Sequence, residues 1–483
     1  MAEGREPTRR HWAGLAFATT VAFLLRWHFA GQQSLGYEEV FTRTIVHQPT
    51  VTGVWDATSA TESTPPVYYL LVWLWLKLTG TGSAAGLRAV SVIAGTLTVP
   101  VAFAAIHGFG ARRVALAGAG LAAISPILVD DGIYARSYAV LVLVSALSMW
   151  ALGVVIARPT RRTWGLWTLS AALCLWTHYF TGFVIAAEVV VLSVRLPAQR
   201  RALAAAVAGV LVLVVPLWPL FRAQSSASQR TEFIASRPLS GRLEDIVRQF
   251  AMGINVPSAP LEALGILIVA AAVAIVIVRG VRTATTRTLV AIVVLGAGLP
   301  IATALTGIDD HLLARNVLGV WIFLAAVAAA GLIRLRGVLL LAYGATCLAT
   351  VTLSLSDWRY QGAADWAGAA RLLGSTARGE PIAVLPGQDI NVAALYLGRR
   401  MLTAPVSTRD LWVIAEPERA TGSRALGAVA QLPLGAFGAG LRPVGERDRR
   451  GFRIVHLQAG APVMIAPTPG AGPAGTGAVL LAP

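Results

Sequence analysis

Two adjacent carboxylates, Glu38 and Glu39, stand a few residues beyond the first long apolar run, in Gly36-Tyr37-Glu38-Glu39. A carboxylate at the mouth of a cavity can take the proton of an acceptor hydroxyl, and a second acid can orient it. Neighbouring side chains on a helix point about 100° apart, so one acid faces a substrate and the other holds the loop. The same pair also suits a solvated helix N-terminus, where the dipole favours negative charge.

Further along, Thr64-Pro65-Pro66-Val67-Tyr68-Tyr69 opens an apolar, Trp-rich stretch that ends at Gly80 and contains Lys77, the single lysine of the chain. Pro-Pro suits a first helical turn, and Tyr68 is a candidate substrate contact. Lys77 is either a ligand for a lipid phosphate or a cation reaching for the membrane surface. Asp130-Asp131-Gly132-Ile133-Tyr134-Ala135-Arg136-Ser137-Tyr138 places Arg136 at the entry to another apolar stretch, where an unpaired guanidinium is costly. Its partner is Asp130 or Asp131, or a phosphate, which the planar fork matches with two hydrogen bonds. Asp131 and Tyr138 join the candidate substrate contacts, as do His178 and Tyr179 in Thr177-His178-Tyr179. Arg315, in Arg315-Asn316 after Asp309-Asp310-His311, is a further phosphate candidate. Glu188, the one acid deep in an apolar stretch, reads as packed against a polar neighbour rather than as a proton relay.

The elements that must position these side chains are membrane helices. Of 483 residues, 56% are hydrophobic and only 13% charged, too few charges for a water-soluble globular protein. The net charge of +16 would suggest nucleic acid in a soluble protein; here the placement of the charges matters more, and no nucleic-acid partner is expected. Cys174 and Cys347 both lie in apolar runs, which excludes a disulfide framework and a cysteine metal site.

A bilayer helix takes roughly 20 apolar residues. By that measure spans are expected near 13–30, 88–107, 114–129, 137–157, 164–180, 181–195, 202–222, 259–279, 286–306, 312–333 and 337–355, eleven in all. Pro65 to Gly80 is short and crowded with interfacial aromatics. Left on the surface as an amphipathic juxtamembrane helix, it makes alternate connections share Arg112, Arg113, Arg158, Arg161, Arg162, Arg195, Arg200, Arg201, Arg279, Arg282, Arg287, Arg334 and Arg336. With Arg5, Arg9 and Arg10 that side holds sixteen arginines and only two acids, Glu3 and Glu6. It is the cytoplasmic side by the positive-inside rule, and the acid-rich loops are external. The first apolar run is too long for a cleaved signal and reads as a retained anchor.

The expected organisation is a cytoplasmic N-terminus over 1–12, a polytopic all-α membrane domain over 13–356 with its catalytic first external loop at 31–87, and an extracytoplasmic domain over 357–483. In that last segment the runs PIAVLP, LWVIAEP and FRIVHLQ alternate with a helix over Ala363 to Leu373 and with Gly/Pro turns, the pattern of a small α/β domain. The final PTPGAGPAGTGAVLLAP reads as a loosely ordered tail.

In order along the chain, Glu38-Glu39, Thr64 to Tyr69, Leu87-Arg88-Ala89-Val90-Ser91, Gly110-Ala111-Arg112-Arg113, Ser125-Pro126 and Tyr134 to Tyr138 resemble the GT-C glycosyltransferases of the protein-mannosyltransferase type, glycosyltransferase family 39. The likeness covers roughly residues 12–330; Thr177-His178-Tyr179, Arg315-Asn316 and Asp357-Trp358-Arg359 fit more loosely. It implies a GT-C helix bundle with juxtamembrane helices in its first external loop, and transfer of a sugar from a polyprenyl-phosphate donor to an extracytoplasmic acceptor. The family's Asp-Glu pair, whose Asp acts as base, corresponds to Glu38 and Glu39. Many relatives have His where Thr64 stands, and Glu-Ala-Arg where this chain has Tyr134-Ala135-Arg136, so the arginine carries over and the acid does not.

The mechanism this implies has Glu38 deprotonating an acceptor hydroxyl while Arg136, with Arg315 or Lys77, holds the donor phosphate, and the anomeric centre inverts. Cations there stabilise the charge of the departing phosphate. No metal or cofactor is required; Asp309 and Asp310 are where a divalent cation would sit. The competing reading is a transporter or flippase for a lipid-linked sugar, which would favour ionisable groups at the midplane and internal repeats; this chain keeps its acids in the loops. A non-catalytic membrane scaffold is the third reading, supported only by the departures at Glu38 and Thr64.

Overall fold

The computed structural model describes residues 9–226, 231–280, 283–307, 310–335, 337–361, 363–374, 377, 379–419, 426–427, 432, 437, 440–468 and 479–482. Asp309, Glu3, Glu6, Arg5, Arg282, Arg336 and most of the terminal segment lie outside them. Contacts divide the chain into one unit of residues up to Gly31 with Thr42–Thr352, and another of Gln32–Phe41 with Leu353–Pro483. The segment carrying Glu38 and Glu39 thus groups with the C-terminal residues, which differs from the expected boundary at residue 357.

Among its described residues the first unit is helical. It runs through α1 (Arg9–Ala30), α2 (Tyr37–Val46, begun in the other unit's segment), α3 (Val51–Thr61), α4 (Val67–Thr79), α5 (Ala84–His107), α6 (Arg112–Ile124), α7 (Pro126–Gly132), α8 (Tyr138–Ala157), α9 (Arg161–Thr177), α10 (Thr181–Arg195), α11 (Arg200–Val214), α12 (Trp218–Ser225), α13 (Glu232–Ala235), α14 (Leu239–Met252), α15 (Ala259–Gly280), α16 (Ala284–Thr306), α17 (Trp321–Arg334) and α18 (Gly337–Ser356). Local chemistry sets many of the ends. Thr50, Ser83 and Thr283 accept from the backbone N–H three residues on, Thr160 and Thr163 form a reciprocal capping box, and Gly80 closes α4 at φ 64°. Each cap satisfies backbone groups that a helix end leaves bare.

Ten of the eleven expected spans fall on helices, 114–129 and 202–222 each on a broken pair; the other, 312–333, is helical only from Leu318, residues 312–317 being coil and turn. Among the described residues, seven helical stretches are long and apolar enough to cross a membrane, counting Pro197–Ser225 with α11 and α12 as one, or eight if the bent pair α6 and α7, at 54°, is one span. With 17 and 15 residues, α9 and α10 fall short of the roughly 20 that a crossing takes, so length alone does not support eleven crossings. At 13 residues, α4 is about 20 Å long, too short to cross the roughly 30 Å hydrocarbon core.

The break between α6 and α7 is filled by a charge. Pro126 has no N–H to offer the Ala122 carbonyl, and the guanidinium of Arg26 takes its place. It donates to the carbonyls of Ala122 at 3.2 Å, Ala123 at 3.0 Å and Leu128 at 3.1 Å, besides Ala22 at 3.1 Å on its own helix. Room comes from Gly95 and Gly132, where a Cβ would stand 2.6 and 2.5 Å from Arg26 Nε. A buried carbonyl left bare costs about 1–3 kcal/mol, so Arg26→Leu is expected to destabilise the protein by about 3 kcal/mol. Thermal unfolding in detergent checks this; an unshifted midpoint would mean that the broken turn is held by something else. Glu188, fully buried on α10, accepts from Ser148 Oγ of α8 at 2.8 Å and Trp167 Nε1 of α9 at 2.7 Å, so its polar neighbours are two, one from each adjoining helix. Cys174 and Cys347 are both free and buried.

The second unit is built on a sheet of order β5-β6-β2-β1-β7, with β1 (Ile382–Leu385), β2 (Val406–Ala415), β5 (Arg442–Arg449), β6 (Phe452–Ile465) and β7 (Val479–Leu481); β3 (Glu418–Arg419) and β4 (Leu426–Gly427) pair separately. Only β1 and β2 run parallel among the pairs of the large sheet. Ala383 and Leu385, Leu411, Val413 and Ala415, and Val455 and Leu457 alternate onto one face and form its core with Phe437 and Leu480, the period-2 burial of a strand. Helices α19 (Trp366–Leu373) and α20 (Ile390–Leu397) complete the unit, with Trp366 edge-on to Phe452 at 4.8 Å. The α/β pattern is as expected from the sequence. The tail is not wholly loose: Val479–Leu481 pairs antiparallel with β1, because its three apolar residues cover a strand edge that would otherwise be open.

Candidate active site

Glu38 and Glu39 occupy the first turn of α2, and the structure gives them different surroundings. Glu39 is fully buried, and its Oε2 accepts from the Gly36 N–H at 2.9 Å. This is the return half of a capping box, which ties the acid to the start of the helix. Glu38 is only partly buried. Burial first, then the Asp389 and Glu38 carboxylates, push the neighbouring Tyr37 phenol above its ordinary pKa. The approach to α2 is anchored within its own unit, with Leu35 N–H donating to Tyr396 Oη at 2.6 Å and Ala367 N–H to Ser34 Oγ at 3.0 Å.

The other candidates gather in the helical unit around a buried ion pair. Arg136 gives Nη1 to Glu62 Oε1 at 2.6 Å and Nη2 to Glu62 Oε2 at 2.7 Å, with the two side chains 10% and 5% exposed. The expected partners were Asp130, Asp131 or a phosphate; the structure supplies Glu62 from the end of α3 instead. Sequence reasoning missed Glu62 because 74 residues separate the partners and nothing in the local pattern distinguishes it from other loop acids. It supplies Arg136 with a carboxylate where the resembling family has the acid two residues before the arginine.

Residues of the Pro-Pro motif surround this pair. The Tyr69 hydroxyl lies 3.2 Å from Thr64 Oγ1 and also bonds Glu62; burial, the largest influence, raises its pKa well above the ordinary value. Tyr68 Oη lies 3.0 Å from Ser91 Oγ, which donates to the Arg136 carbonyl at 3.4 Å. Thr42 Oγ1 donates to the Ala135 carbonyl at 2.9 Å. Tyr68 and Tyr69 are completely buried and thus brace the loop that carries Arg136.

Tyr138, His178 and Arg315 form a second group beside it. The Tyr138 and His178 rings are 6.2 Å apart, the Arg315 guanidinium carbon lies 5.8 Å from the Tyr138 ring centre, and His178 is buried. Arg315 is only partly buried. Tyr179 serves a supporting role: its hydroxyl donates to Gln224 Oε1 at 2.8 Å, and Gln224 Nε2 donates to the Thr64 carbonyl at 3.0 Å. Asp131 is buried on α7. Lys77 is exposed on the last turn of α4, with its ammonium 5.7 Å from the Trp73 ring centre; no described contact joins it to Arg136 or Arg315. Asp310 is bound by both terminal nitrogens of Arg242, and that pairing holds its pKa below the ordinary value. Its oxygens are therefore engaged by a guanidinium.

Residues 63–219 match the family model described as dolichyl-phosphate-mannose-protein mannosyltransferase. No curated protein matches the chain. Among solved structures, the fold is similar to that of ArnT from Cupriavidus metallidurans in the apo state, with a TM-score of 0.57 at 15% identity over 92% of this chain and 97% of that one. It is similar to the same protein bound to undecaprenyl phosphate, with a TM-score of 0.57 at 14% identity over 93% and 98% of the two chains. At such identities the likeness speaks for the fold. A segment that runs through Thr64, Arg136 and His178 is thus similar to the protein-mannosyltransferase family, and the chain as a whole has the GT-C fold that ArnT shows.

Proposed function

We propose that the protein transfers a sugar, mannose or another hexose or a pentose, from a polyprenyl-phosphate carrier to an extracytoplasmic acceptor such as a protein, lipid or cell-envelope glycan. The bond from the anomeric carbon to the phosphate oxygen breaks as the acceptor oxygen attacks from the opposite face. Glu38 receives the acceptor's proton, and the anomeric centre inverts. Negative charge then builds on the departing lipid phosphate, and a cation fixed beside it lowers the barrier.

The observation that carries this reading is the placement of Arg315, partly exposed over Tyr138, beside the buried Glu62–Arg136 pair. Arg315 takes the donor phosphate, while the Glu62–Arg136 pair positions the wall around it; Tyr68, Tyr138, Asp131, His178 and Tyr179 shape or brace that wall. Lys77 is a further phosphate contact for a lipid arriving along α4. The undecaprenyl phosphate bound by the similar ArnT fold supports a lipid-phosphate ligand. In this reading the N-terminus is cytoplasmic and the C-terminal unit extracytoplasmic, the orientation that the arginine distribution favours.

The test is incubation of the purified protein in liposomes with labelled polyprenyl-phosphate sugars. Transfer or hydrolysis is expected. Movement of the intact lipid between leaflets without cleavage would make the protein a flippase, and neither outcome would leave a scaffold.

A further inference from the structure

Among the described residues, and outside the groups already discussed, one cluster of metal-ligating side chains stands on the second unit. Glu380 precedes β1, Asp410 lies on β2 and His456 on β6, and one ligand atom from each lies within 4.8 Å of the others. The sheet register explains the convergence. Trp412 faces His456 and Asp410 faces Gln458 across the antiparallel β2–β6 pair, so all four side chains project from the same face. The Pro381 carbonyl accepts from the Trp412 N–H at 3.1 Å, which brings Glu380 to the end of that row. This face is opposite the apolar core of Leu411, Val413, Val455 and Leu457.

We propose that Glu380, Asp410 and His456 bind a divalent transition-metal ion of the zinc class. An imidazole with two carboxylates is a donor set suited to such an ion, and three protein ligands leave one position for water. Around the triad, other groups hold the ligands in place. Trp412 Nε1 donates to Glu380 Oε2 and Gln458 Nε2 to Asp410 Oδ1 at 2.9 Å. The indole of Trp412 stacks on the His456 ring at 4.4 Å and 3°. Such contacts orient ligands in metal sites. Each carboxylate retains a second oxygen for the ion, and the three side chains are neither fully buried nor exposed. A tetrahedral ion with bonds of about 2.0–2.2 Å holds its ligands about 3.4 Å apart, so no gap need close by more than about 1.4 Å through side-chain rotation. Arg399, which donates to the Glu380 carbonyl, adds one positive charge nearby, and the two carboxylates outweigh it.

In the metal-free state His456 Nε2 lies 3.0 Å from Asp410 Oδ1. By joining three separate chain segments, the ion would staple the lead into β1 to β2 and β6.

The test uses the purified full chain, freed of metal with a chelator and titrated with zinc chloride by calorimetry. One saturable site is expected, weakened at least about tenfold in both Asp410→Asn and His456→Gln. Zinc should also raise the unfolding midpoint of the wild type but not of the variants. Cobalt(II) should show the absorption of a low-coordinate ion in the wild type only. The proposal is overturned if the wild type has no saturable zinc site, if the variants bind as it does, or if magnesium or calcium binds as tightly as zinc. Sugar transfer is not part of the readout, so this result stands apart from the transferase reading.

Discussion

Glu38→Gln is expected to leave the protein folded and able to bind donor while transfer falls by about 10²–10⁴-fold, the usual contribution of a positioned general base. The change preserves size and removes only the proton acceptor. Glu38, half-buried at the head of α2, is the acid proposed to meet the acceptor hydroxyl. Glu39 differs because it is buried and accepts the Gly36 N–H. The amide oxygen of a Glu39→Gln variant can still accept that bond, so its expected loss is smaller. Single-turnover transfer with donor prebound separates the two variants from a binding defect. If Glu38→Gln turned over at the wild-type rate, the base assignment would be wrong; if both variants fell equally, the acids would act as a unit.

Glu62→Gln should have the largest effect on stability. It leaves the Arg136 guanidinium, 10% exposed, without its full counter-charge, and breaking a buried ion pair on one side costs about 3–5 kcal/mol. The unfolding midpoint in detergent should fall and transfer with it. The joint change Glu62→Leu with Arg136→Met removes both charges and should recover much of the stability, since a buried pair is often no better than well-packed apolar side chains. Transfer should nevertheless stay low in that double variant if the pair shapes the proposed donor site, because the Tyr69 hydroxyl loses its bond to Glu62 and both charges are gone. Recovery of both stability and full transfer would reduce the pair to packing.

The general helical plan was legible because its causes are local. Long apolar runs specify membrane helices, and Pro65-Pro66 with Gly80 bounds α4. Alternating strands in the C-terminal segment were likewise readable from period-2 patterning. Site chemistry was legible in type but only partly in partnership. The sequence identified Arg136 as a charge in need of a partner, and adjacency favoured Asp130 or Asp131 over the true ion, Glu62.

What the sequence by itself determined is therefore the class of protein, the positions of most helices, and the chemically capable residues. Tertiary structure decided how those residues are shared out. It gave Glu62 to Arg136, Arg26 to the broken turn between α6 and α7 nearly a hundred residues away, the Glu38 segment to the C-terminal unit, and a strand from the tail to the edge of β1. The physical reason is common to all four. A buried charge, an orphan carbonyl or an open strand edge must be satisfied, but any distant segment that the fold brings near can satisfy it, and sequence separation carries no record of which one does.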